Sequence, residues 1–135
     1  MLARLKFDIT DLVNSMLDQI PPDVLINGTF LDPAIGGGQF VKEIERRKRD
    51  AGKTDDEIKN TVFGFESNIL RMDYAKNKHK LFGTYIVGDF LQQELPDMKF
   101  DVAVGNPPYQ GSNDKGTNQP KSHNLWSKFV TKSIT

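Results

Sequence analysis

The 135-residue chain has no cysteine. That excludes disulfides and thiolate metal sites, and it fits a reducing compartment. Histidine is scarce as well: only His79 and His123 can act as imidazole ligands. They fall on different predicted elements, so no metal site is expected. An excess of one charge is also missing, because 18 Lys and Arg balance 18 Asp and Glu. No global field draws such a chain onto nucleic acid, although a local basic groove is not excluded. No apolar run approaches the ~18 residues of a membrane span, and the start lacks the apolar segment of a secretory signal. The expectation is a soluble protein of the cytoplasm, with no membrane partner. The length suits one domain, residues 1–135, with a single core.

What is present reads as alternating helices and strands. Ile9, Leu12, Val13, Met16, Leu17 and Ile20 recur at helical spacing, so residues 8–20 predict an amphipathic helix that Pro21-Pro22 stops. Residues 29–31 predict a short strand, and residues 39–49 a helix with Phe40, Val41 and Ile44 inward. Within that helix the run Arg46-Arg47-Lys48-Arg49 reads as a solvated face. Thr54-Asp55-Asp56-Glu57 has the form of a capping box. Residues 61–65 predict a second strand closed by Glu66. Next comes a helix capped by Ser67, with Ile69, Leu70, Met72 and Tyr74 as its packing residues. Residues 84–87 and 100–104 predict two more strands, the first followed by Gly88-Asp89-Phe90 and the second by Gly105. Residues 110–124 read as a loop, and a last helix is expected from Asn124. Strands separated by helices imply a parallel sheet with right-handed crossovers.

Ligands of such sheets bind beyond the carboxyl ends of the strands. Those ends carry Asp32, Glu66, Asp89 and Asn106, four polar side chains that point to one pocket. After the first strand, Gly36-Gly37-Gly38 opens a helix, the setting of a nucleotide-binding loop whose backbone approaches its ligand closely. No Lys-Ser/Thr pair follows the glycines, which disfavours a phosphate-binding P-loop; Val41 stands where a dinucleotide fingerprint needs its third glycine. A carboxylate such as Glu66 suits the two hydroxyls of a ribose. After the fourth strand comes Asn106-Pro107-Pro108-Tyr109. The prolines fix φ and free their carbonyls, Asn106 adds another acceptor, and Tyr109 adds an aromatic face. Together these suit a planar amino group held between two acceptors, with its ring stacked on the tyrosine.

Asp32-Pro33-Ala34-Ile35-Gly36-Gly37-Gly38-Gln39-Phe40 resembles the glycine loop of S-adenosylmethionine-dependent DNA adenine-N6 methyltransferases. Asn106-Pro107-Pro108-Tyr109 matches the catalytic motif of that family, and the intervening acidic strand ends come in its order. The context Phe100-Asp101-Val102-x-x-Gly105-Asn106-Pro107-Pro108-Tyr109-Gln110 is similar to methylases of combined restriction–modification enzymes.

The resemblance implies an α/β Rossmann-like methyltransferase fold, a partial parallel sheet of order 3-2-1-4 with helices on both faces, and S-adenosylmethionine as cofactor. Asp32, with the loop of Pro33, Gly36, Gly38 and Phe40, would hold the methionine part. Glu66 would bind the ribose hydroxyls, and Asp89 the adenine amine of the cofactor, with Phe90 beside its ring as half core and half pocket wall. Asn106, Pro107, Pro108 and Tyr109 would be catalytic, acting on an adenine flipped out of a DNA duplex. Two departures from the family pattern stand out: Asp8-Ile9 where the first helix usually starts Thr-Pro, and Gly37 where the loop usually has Ser. Asp89 equally suits a helix cap, and Tyr109 a loop anchor. Alternative readings are a methylase of protein glutamine or of an RNA base amine, or a cofactor-binding module without catalysis. The family fold needs further strands and a target-recognition domain beyond Tyr109, so the chain reads as the N-terminal part of a larger methylase. Self-association through an open sheet edge is then expected.

Overall fold

A computed structural model describes residues 9–92 and 99–105. Helix α1 (Ile9–Asp18) lays Val13 and Leu17 inward. Pro21-Pro22 ends the first helical pattern but also starts a new helix, α2 (Pro22–Asn27), since a proline at the first helical position gives up only an amide that has no helical partner. That helix is too short to show a period and was not legible in the sequence. Strand β1 (Phe30–Asp32) leads through the glycine turn into α3 (Gln39–Asp50), and then α4 (Asp55–Thr61) leads into β2 (Val62–Glu66). The capping box is present: Thr54 Oγ1 accepts from the Glu57 amide at 3.2 Å, and Glu57 Oε1 from the Thr54 amide at 2.8 Å. Helix α5 (Ile69–His79), β3 (Thr84–Val87), a 3-10 turn (Phe90–Gln92) and β4 (Val102–Ala103) complete the described elements.

All pairings are parallel and the order is β3-β2-β1-β4, as expected. Alternation along the strands builds two cores. Phe30, Val62, Tyr85 and Val102 join Val13, Leu17, Leu25, Val41, Ile44, Ile58, Met72 and Ala75 on the face covered by α1 to α5. Leu31, Phe63, Phe65 and Ile86 meet Phe90, Leu91 and Phe100 on the other face, which the 3-10 turn covers. The crossover from β3 back to β4 passes to the far side of β1, so the order reverses beside β1.

Two local expectations fail. Asn68, not Ser67, caps α5, its Oδ1 accepting from the amides of Leu70 (2.9 Å) and Arg71 (3.0 Å). Ile69, Leu70 and Tyr74 are exposed by 58%, 75% and 56%, because α5 turns only Met72 and Ala75 to the sheet. The basic run of α3 is also not one solvated face. Arg46 is exposed, but Arg47 bridges to Asp18 of α1 at 2.8 Å. Lys48 is fully buried, donating to the carbonyls of Ile26 (3.0 Å) and Gly28 (2.8 Å) beneath the Phe30 ring. Burial lowers its pKa to about 8. Glu45, one turn earlier, is buried too; its carboxylate accepts from Phe82 N, Gly83 N and Tyr85 OH, at 2.8, 2.8 and 2.5 Å. These bonds tie α3 to the start of β3.

Candidate functional site

Strands β1, β2 and β3 end side by side, and their last residues bring the acidic groups together. The Gly88 amide donates to the Glu66 carbonyl at 2.9 Å, joining the ends of β3 and β2. The Ile35 amide donates to the Phe65 carbonyl at 2.9 Å, so the loop after β1 folds across β2. Gly36 and Gly38 adopt φ of +55° and +87°, left-handed values that a residue with Cβ resists. A Cβ on Gly36 would meet nothing within 4 Å: the loop presents open backbone there.

Glu66 holds this loop. It is 4% exposed; Oε1 accepts from the Gly36 amide and Oε2 from the Asn68 amide, each at 2.9 Å. The Arg71 guanidinium also lies 3.6 Å from Oε2, and the lone pairs that remain can accept from a pair of ribose hydroxyls. Asp32 is 2% exposed and accepts from the Ala34 amide at 3.0 Å. Burial pushes its pKa up to about 7, the Ala34 amide opposes the rise and the charge of Glu66 adds to it. Among the described residues no cation pairs with Asp32, and the ammonium group of a methionine moiety would supply a counter-charge. The carboxylate acceptors and the open glycine backbone therefore fit the expected cofactor.

Of the other expected residues, Asp89 also serves the local turn and Phe90 departs from its expected place. Asp89 is exposed, and its Oδ1 accepts from the Leu91 amide at 3.1 Å, so it caps the 3-10 turn. Phe90 is not half pocket wall: it is 1% exposed, edge-on to Phe65 with ring centroids 5.3 Å apart. Phe40 and Pro33 are buried, Phe40 within the main core. Asn106, Pro107, Pro108 and Tyr109 lie outside the described residues, as do the loop over 110–124 and the helix expected from Asn124. Gly105, φ +147°, passes so close to Asp32 that a Cβ on it would sit 2.5 Å from Asp32 Oδ1. The last described residue thus lies directly beside the end of β1.

One residue of this site escaped the sequence reading. His79, at the end of α5, has Nε2 2.9 Å from the Gly37 carbonyl. Burial lowers its pKa; the Gly37 contact opposes this, and Lys42 and Lys78 reinforce it. No local pattern signals a contact 42 residues away. Among the described residues no cluster of three or more His, Asp or Glu can hold a metal, and no helix is long and apolar enough to cross a membrane.

Solved structures share this architecture. A type I restriction-modification system methyltransferase subunit from Streptococcus thermophilus superposes with TM-score 0.60 and 16% identity, over 98% of this chain and 32% of its own. A predicted N6-adenine-specific DNA methylase from Listeria monocytogenes gives TM-score 0.61 and 15% identity, over 98% and 43%. A TehB-like S-adenosylmethionine-dependent methyltransferase from Corynebacterium glutamicum gives 0.55 and 17%, over 93% and 55%. Likeness at such identities establishes the fold, and the chain spans no more than about half the length of these proteins. A search of curated proteins found no match. Residues 6–135 match the family model described as Eco57I restriction-modification methylase. Nearly the whole chain is matched, its glycine turn and acidic strand ends lie together at one edge of a 3-2-1-4 sheet, and the chain belongs to the Eco57I restriction-modification methylase family.

Proposed function

We propose that residues 1–135 are the cofactor-binding and catalytic part of an enzyme that methylates the exocyclic N6 amine of adenine in DNA. The setting is restriction–modification or phage-type DNA modification in the cytoplasm, with sequence recognition carried elsewhere. The observation that carries this reading is the meeting of Asp32 and Glu66 around a left-handed glycine turn, in a chain of this family. Asp32 and the Gly36 to Gly38 backbone hold the methionine end, Glu66 the ribose, and Asp89 the adenine end. S-adenosylmethionine, when bound, supplies an electrophilic methyl group on a sulfonium sulfur.

The target amine is a poor nucleophile, because its lone pair is conjugated into the ring. The Asn106 side-chain oxygen and the Pro107 carbonyl accept its two hydrogens, which favours a pyramidal nitrogen and frees the lone pair. Pro108 stiffens this loop, and Tyr109 stacks on the base after it has left the duplex. No side chain forms a covalent bond, so catalysis rests on positioning and electrostatics. The outer edge of β4, which pairs only with β1 among the described residues, is where further strands or a second copy of the chain would add.

The test is titration calorimetry of the 135-residue chain with S-adenosylhomocysteine, followed by methyl transfer from tritiated cofactor to duplex DNA by a longer methylase carrying these residues. Saturable binding and label in N6-methyladenine are expected. A folded chain that binds nothing, or label in protein glutamine or RNA, would refute the assignment.

A further inference from the structure

We propose that His79 is a positioning residue for the cofactor loop: its Nε2–H holds the Gly37 carbonyl and keeps the glycine turn in its binding form. This rests on the reading of the turn as the cofactor site. Two of the three successive glycines are held by other elements, and the third within the loop itself. The Gly36 amide donates to Glu66 at the end of β2, the Gly37 carbonyl accepts from His79 at the end of α5, and the Gly38 amide donates to the Ile35 carbonyl at 2.8 Å. Glycines at positive φ lose much conformational freedom when fixed, so a loop ordered beforehand binds more tightly.

The imidazole also sets the shape of the turn. A Cβ on Gly38 would lie 3.0 Å from His79 Cδ2 and 3.2 Å from the Ala75 Cβ, so ring and loop are in close contact. A carbonyl only accepts, which requires the proton of neutral His79 to be on Nε2. The charged groups acting on the ring are Lys42 of α3 and Lys78 of α5 itself, both cationic. Both lysines disfavour a second ring proton, whereas the Gly37 carbonyl favours it by accepting from the charged ring.

The test compares the wild-type chain, His79→Phe and His79→Gln by titration with S-adenosylhomocysteine, alongside thermal melts. His79→Phe keeps a ring against Ala75 and Gly38 but has no donor; its affinity should fall about five- to tenfold, the worth of one hydrogen bond. His79→Gln supplies an N–H and should recover most of that loss. Unchanged affinity in His79→Phe, with or without a lower melting temperature, would overturn the inference, as would a His79→Gln affinity no better than that of His79→Phe. Failure of the folded wild type to bind would instead overturn the cofactor reading, and this inference with it.

Discussion

Asp32→Asn should make the unliganded protein more stable at neutral and alkaline pH while weakening its hold on the cofactor. The substitution keeps the shape and the acceptor for the Ala34 amide but removes a buried charge. The Asp32 pKa rises from 3.8 to about 7 on folding, with the side chain almost wholly buried. At about 1.4 kcal/mol per tenfold change in proton affinity, the charge costs roughly 4 kcal/mol above pH 7. The sign follows from linkage. Between the two values the folded state keeps its proton and the unfolded state loses it, so wild-type stability falls as pH rises through that window and is level above it. Asp32→Asn lacks this fall, and its advantage should widen by roughly 2 kcal/mol between pH 5 and pH 7. Urea unfolding across that range measures the gap. Calorimetry with S-adenosylmethionine on the same preparations should show a loss of about 1.5–3 kcal/mol, as for a hydrogen bond to a charged group. A gap that does not change with pH would refute the buried-charge argument. Unchanged affinity would remove Asp32 from the methionine end.

Three further outcomes follow from the same geometry. Glu66→Ala should weaken cofactor binding by ~1.5–3 kcal/mol, and it should also destabilise the fold, since the Gly36 and Asn68 amides lose their acceptor; calorimetry and urea melts separate the two effects. Asn106→Ala in a longer methylase should lower the single-turnover rate far more than cofactor affinity, and an unchanged rate would exclude it from the chemistry. Tyr85→Phe should cost about 1.5–3 kcal/mol of stability, because the hydroxyl donates to the buried Glu45 carboxylate, a charged acceptor. A melting temperature equal to wild type would show that bond to be idle.

The positions of the strands and the glycine turn were legible because each depends on short-range rules, while the 3-2-1-4 order came from the family resemblance. Period-two apolar runs, a capping box and a glycine run between strand and helix all act within a few residues. The three acidic strand ends could likewise be named, since a parallel sheet sends every strand's carboxyl end to one edge. Composition misled where it replaced period. Val41, Ile44, Glu45 and Lys48 stand at i, i+3, i+4 and i+7, the inward stripe of α3, although two of the four are charged. Conversely, Ile69, Leu70 and Tyr74 are apolar but lie off the stripe that α5 presents to the sheet. The sequence by itself therefore determined the elements, their order and the edge at which a ligand is received. Tertiary structure alone decided that Asp32 is near-neutral, that Glu66 braces Gly36, and that His79 grips Gly37 from 42 residues away. Those properties come from burial and from contacts between distant segments, and neither exists until the chain has folded.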